Sequence, residues 1–123
     1  MNNNEEKLEA LSTLGEFNER LLKNIPTIVH ELSGNRQQDT EQYLGNIINS
    51  INWEISVTNA TLDIINDGVN RIDKEYFNQK VLALGTALSA GEDAQISIAL
   101  QNLIPSFVEL GNAVNEVLKK YQA

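Results

Sequence analysis

INWEISVTNATLDII, residues 51–65, is the stretch on which the fold turns. Its first half alternates as a half-buried strand would: Ile51, Trp53, Ile55 and Val57 are apolar, and Asn52, Glu54, Ser56 and Thr58 are polar. The alternation fails beyond Val57, where Thr58 and Asn59 are both polar and Ile64 and Ile65 both apolar. The helical period runs much further. Leu44, Ile48, Ile51, Ile55, Thr58, Leu62, Ile65, Val69 and Ile72 follow one another in steps of four and three, with only Thr58 interrupting. Such a stripe, free of Gly and Pro between Gly45 and Gly68, predicts a helix. Burial of a continuous stripe outweighs the weak helix propensity of its β-branched residues.

Around that helix, at ~100° per residue, a second apolar stripe falls opposite the first: Trp53, Val57, Ala60 and Ile64. Asn52, Asn59 and Asn66 form a polar seam between the two. A helix on the outside of a simple bundle needs one apolar stripe. Two imply a central place in the fold or a surface for a partner.

The flanking sequence is also helical. Leu8, Leu11, Leu14, Phe17, Leu21, Ile25, Ile28 and Leu32 give a first helix over about 5–33, ended by Gly34. Asn35 or Asp39 is placed to cap the second, over about 37–71, and Asp39 with Gln42 approximates a capping box. Asp73 opens a third helix, about 74–90, carrying Phe77, Val81, Leu84 and Leu88 and closed by Ser89-Ala90-Gly91. The fourth, about 93–121, opens on Glu92 and Asp93, as the helix dipole favours, and carries Ile96, Leu100, Leu103, Phe107, Leu110, Val114, Val117 or Leu118, and Tyr121. Short connections make sequential neighbours antiparallel. The expectation is an all-α, single-domain chain over 1–123, an up-and-down antiparallel four-helix bundle. Pro26 and Pro105 should kink or split its long first and fourth helices. Their similar settings, with Leu five residues earlier and Ile just before, read as coincidence between amphipathic helices rather than duplication. The second helix would span ~50 Å and the third only ~25 Å, which leaves part of the second uncovered.

Composition narrows the function classes. The chain of 123 residues has no Cys, so it offers no disulfide framework, thiolate nucleophile or Cys-based metal site. Nine basic and seventeen acidic residues give a formal charge of −8, and the only adjacent basic pair is Lys119-Lys120. Binding to nucleic acid and docking on anionic membranes are both disfavoured. The acidic MNNNEEKLEAL start is unlike a signal peptide, and no apolar run approaches membrane-spanning length. A cytoplasmic location is expected. The sequon at Asn59-Ala60-Thr61 is read as accidental.

The sequence offers little catalytic chemistry. A carboxylate-bridged di-metal bundle needs Glu-x-x-His on two helices, whereas the sole histidine, His30, has Thr27 in the Glu position. His30 reads as an ordinary, partly exposed side chain. Glu5, Glu6 and Glu9, Glu16 and Glu19, and Glu92 with Asp93 read as solvated helix faces or dipole partners. There is no phosphate-binding glycine loop, and Asn66-Asp67-Gly68 is a helix-end signal rather than a calcium loop. No catalytic, cofactor or metal residue is assigned, and an enzyme is not expected.

Trp53 has two readings, a buried core residue or an anchor for a partner. Its alignment with Val57, Ala60 and Ile64 makes those four the candidate interface, which Tyr43, Tyr76 and Tyr121 could edge.

The run LGTALSAGEDAQISIALQNLIP, Leu84 to Pro105, resembles the C-terminal half of small uncharacterised helical proteins of Gram-positive bacteria. NIINSINW, Asn46 to Trp53, resembles their preceding helix, so the likeness covers about residues 36–110. The general shape, an acidic helical bundle, is similar to that of flagellar and type III export chaperones. That similarity implies binding of export substrates or machinery, often as dimers, and carries over no residue positions. The expected function is a non-catalytic interaction module, a homodimer joined through the second helix. The alternative is an export chaperone holding a partner helix, and a ligand-binding bundle or enzyme ranks below both.

Overall fold

The computed structural model describes residues 3–122. Every regular element among them is an α-helix: α1 (Asn3–Leu32), α2 (Thr40–Ala60), α3 (Leu62–Ile65), α4 (Lys74–Ala90) and α5 (Asp93–Gln122).

Several helix ends follow local signals. Gly34 and Gly91 adopt positive φ, 97° and 74°, just beyond α1 and at the end of α4. Only glycine takes that conformation without steric cost, which is why both helices stop there. The Asp73 side chain accepts a hydrogen bond from Tyr76 N at 3.1 Å, an N-cap that relieves one orphan amide of α4. At the start of α2 the expected capping box does not form, because Asp39 makes no side-chain cap bond. Thr40 does the work instead. Its hydroxyl accepts from Gln37 N at 2.6 Å and donates to Glu31 Oε1 at 2.7 Å, tying α2 to the last turn of α1.

One expectation is corrected. The helix expected over 37–71 ends at Ala60, and the described residues make five helices rather than four. The Thr58 hydroxyl bonds back to Glu54 O at 2.7 Å and the Thr61 hydroxyl to Val57 O at 2.7 Å. Threonines bonding to carbonyls one turn earlier bend helices, and here the chain turns into the single turn of α3. Residues 66–73 then lie outside any helix, leaving Val69 54% exposed. Asn66 organises this segment: its Oδ1 accepts from Arg71 N and Ile72 N, and its Nδ2 donates to Ile72 O. Pro26 and Pro105 lie inside α1 and α5, and neither splits its helix. Both are exposed, so water can reach the carbonyls whose amide partner is missing.

The long helices α1 and α5 are the spine. The N–H of Asn18 Nδ2 reaches Phe107 O at 2.9 Å, and a Cβ at Gly15 would meet Val114 at 3.4 Å, so the two run antiparallel. α2 lies along α1, and α4 along α5. The core is formed by Leu11, Leu14, Leu21, Ile25, Ile28 and Leu32 of α1 with Ile96, Leu100, Leu103, Phe107, Leu110, Val114 and Val117 of α5. Phe77 of α4 joins it edge-on to Phe107, ring centroids 5.4 Å apart.

Candidate protein-contact site

α1 and α2 cross antiparallel, as the pairs Lys7–Asp63 and Phe17–Trp53 show. Phe17 occupies a position that the sequence places in the inward stripe of α1, yet it is 41% exposed. Asn18, one residue on, takes the inward seat, where its Nδ2 bonds Phe107 O and its Oδ1 has no partner. Phe17 is thereby turned to the α1/α2 seam. There it meets Trp53, itself 39% exposed, with ring centroids 4.9 Å apart and planes tilted by 49°. The guanidinium of Arg20 lies 4.4 Å above the Phe17 ring centroid. Beside the pair runs a groove of about 290 Å³ lined by Phe17, Arg20, Leu21, Asn24, Tyr43, Asn46, Ile47 and Ser50. Tyr43 Oη donates to Asn24 O at 3.4 Å and edges that groove, whereas Tyr76 and Tyr121 do not line it.

The four residues of the second stripe take different places. Trp53 and Ala60 are exposed, and Val57 is half-buried against the core. Ile64 lies past the helix break in α3 and is buried in the chain's own core, beside Ile65. The break at Thr61 ends the line that a continuous helix would have drawn. What remains at the surface is Trp53 with Phe17 and Arg20, from two helices rather than one. Sequence periodicity could not join residues 36 positions apart. The only local hint was an aromatic in each stripe.

The sequence reading also passed over Glu54. It is completely buried, and neither carboxylate oxygen has a hydrogen-bond partner. Burial alone pushes its pKa up to about 8. A signal for it existed: Ile47, Ile51, Glu54, Thr58, Thr61 and Ile65 follow steps of four and three, and all are buried. That line is the true inward face of α2 and α3, with a carboxyl set among isoleucines and threonines.

Several charged groups pair at the surface. Lys7 Nζ lies 2.6 Å from Asp63, and Arg36 makes a two-pronged contact with Asp93 at 2.6 and 2.8 Å. These bonds hold both aspartates below their ordinary pKa. His30, Glu5, Glu6, Glu9, Glu16 and Glu19 are exposed. Among the described residues no three His, Asp or Glu side chains gather as a metal site, and no helix is long and apolar enough to cross a membrane.

A family model described as "Domain of unknown function (DUF8042)" matches residues 9–113, and the chain belongs to that family. No curated protein and no solved structure matches it.

Proposed function

We propose that this member of the DUF8042 family is a non-catalytic protein-interaction module of the cytoplasm, self-associating through α2 and the adjoining face of α1. The observation that carries the reading is the exposed Phe17–Trp53 pair with Arg20 stacked on it. Trp and Arg are enriched where partners bind, and large apolar rings held rigid at the surface lose little entropy on docking. In a twofold dimer the same patch meets itself, so each Trp53 packs beside the other copy's α1/α2 seam. The scaffold is an up-and-down four-helix bundle, with α3 as a continuation of α2, and its α2/α4 edge is the least closed. Light scattering on the eluting protein over a range of concentrations tests the proposal. The expected result is a mass twice that of the chain, reverting towards the monomer in Trp53→Asp with helicity intact. A wild type that stays monomeric at the highest concentration would remove self-association.

One further observation favours the second reading, a chaperone-like module holding a partner's amphipathic helix. Ile48 and Ile55 of α2 and Val81 and Leu88 of α4 are only half-buried against the core. A short apolar pocket lined by Ile55, Leu62, Ile72 and Phe77 closes one end of that edge. A helix laid along the edge would complete the burial of those four side chains. Under this reading Ile55→Asp and Val81→Asp abolish capture of a partner, whereas Trp53→Asp leaves it unchanged.

A further inference from the structure

α2 differs from the other long helices in how it is held. Of its six buried residues, Leu44, Ile47 and Ile51 are apolar, but Thr40, Glu54 and Thr58 are polar. Its backbone lies chiefly against α1, while α5 packs on both α1 and α4 through the rest of the core. Both its ends are breaks in the helix. At the start is the exposed segment 33–39, with Gly34 at φ 97°, and at the finish is the bend at Thr61. Midway along sits Glu54, wholly buried with both oxygens unpartnered.

We infer that α2 is a proton-gated flap: it seats on the α1/α4/α5 body while Glu54 is protonated and lifts, bending at segment 33–39 and at Thr61, when that carboxyl ionises. An ionised carboxylate without a single hydrogen bond cannot stay in an apolar interior at small cost. It must acquire a cation or reach water. No cation is poised to meet it. On α1, Lys7 is held by Asp63 of α3 and Arg20 lies over Phe17. On α5, Glu116 is bound to Arg71. On α4, Lys74 lines the same pocket as Thr58 but is exposed, and no charged neighbour contributes to the Glu54 shift. Burial is the whole cause of the Glu54 shift from 4.5 to about 8. A shift of that size biases the seated against the lifted form by on the order of a thousand-fold across the titration. Glu54 sits on a helix whose backbone approaches chiefly α1 among the long helices, so local lifting of α2 is a direct route to water.

Hydrogen exchange on the full chain between pH 5.5 and 9, corrected for the intrinsic rate, tests this. Peptides within α2 should lose at least ten-fold in protection as the pH rises, while peptides within α5 keep theirs. Glu54→Gln should hold α2 protected across the whole range. The inference is overturned if α2 shows no pH dependence, if α2 and α5 lose protection together, or if Glu54→Gln follows the wild type. Trp53, the only tryptophan, gives a second reading that needs no substitution. On lifting it leaves Phe17, and its emission should move to the red as the pH rises from 6 to 9. Emission unchanged from pH 6 to 9 would also overturn the inference. Both readouts are taken at a concentration where light scattering gives one constant mass across the pH range, so that a change in association is not read as lifting.

Discussion

Trp53 of α2 rests against Phe17 of α1 with ring centroids 4.9 Å apart, and both rings remain about two-fifths exposed. An aromatic pair in such a tilted arrangement contributes about 0.5–1.5 kcal/mol beyond its buried area. Phe17→Ala should therefore lower folding stability by about 1–2 kcal/mol, well below the cost of emptying a core position. Its effect on association should match that of Trp53→Asp, because it removes the platform that orients Trp53. Denaturant melts and concentration-dependent light scattering on the same variant read the two effects separately. A Phe17→Ala protein that associates like the wild type would show that Trp53 acts without its neighbour.

Replacing the buried acid should strengthen the fold. Glu54 makes no side-chain hydrogen bond to lose, and an unsatisfied buried polar group costs about 1–3 kcal/mol. Glu54→Leu is expected to raise stability at pH 7 by about that amount, seen as a higher denaturation midpoint with an unchanged slope. A drop in stability would show that the carboxyl has a partner in solution.

Stability should peak on the acid side of neutral. The Glu54 pKa is raised in the fold from 4.5 to about 8, so between those values the folded chain binds a proton that the unfolded chain has lost. Stability from this group is complete below 4.5 and falls as the pH climbs towards 8, by on the order of 3–5 kcal/mol. Asp63 and Asp93 act with the opposite sign. Their folded pKa values are depressed from 3.8 by Lys7 and Arg36, so their contribution is present above 3.8 and is lost as pH falls through the lowered values. Urea melts from pH 3 to 9 should show a maximum near pH 5, and Glu54→Gln should flatten the alkaline limb alone. A wild-type maximum above pH 8 would contradict the buried acid.

Two helical glycines should respond oppositely to alanine. Gly85 of α4 has open space where a Cβ would stand, so Gly85→Ala gains helix propensity, about 1 kcal/mol. At Gly111 a Cβ would come within 2.9 Å of Asn18 Nδ2, the atom that donates to Phe107 O. Gly111→Ala must displace that buried amide, and the lost bond should outweigh the propensity gain. Thermal melts of the two single variants check the contrast, and a stabilised Gly111→Ala would mean that Asn18 can move aside freely.

The local features of this chain were legible one residue at a time. Helix-ending glycines at 34 and 91, the Asp73 cap and the inward stripes of α1 and α5 all depend on neighbours within a turn or two, and each lies where the periodicity puts it. The reading failed where a choice had to be made between near-equal alternatives. At residues 17 and 18 the stripe fits Phe better than Asn, but the close approach of α5 at Gly111 leaves the inward seat to the smaller amide. Past residue 58 the apolar spacing continues, yet two threonines bond backwards and the helix ends.

The sequence by itself determined that the regular elements of this chain are helices and which faces of α1 and α5 turn inward. Periodicity, caps and glycine φ are properties of a few consecutive residues. Only the tertiary structure decided that Phe17 meets Trp53, that Ile64 joins the core and that Glu54 is sealed within it. Burial on a helix is set by which other helix covers each face, and the chain brings those covering residues from dozens of positions away.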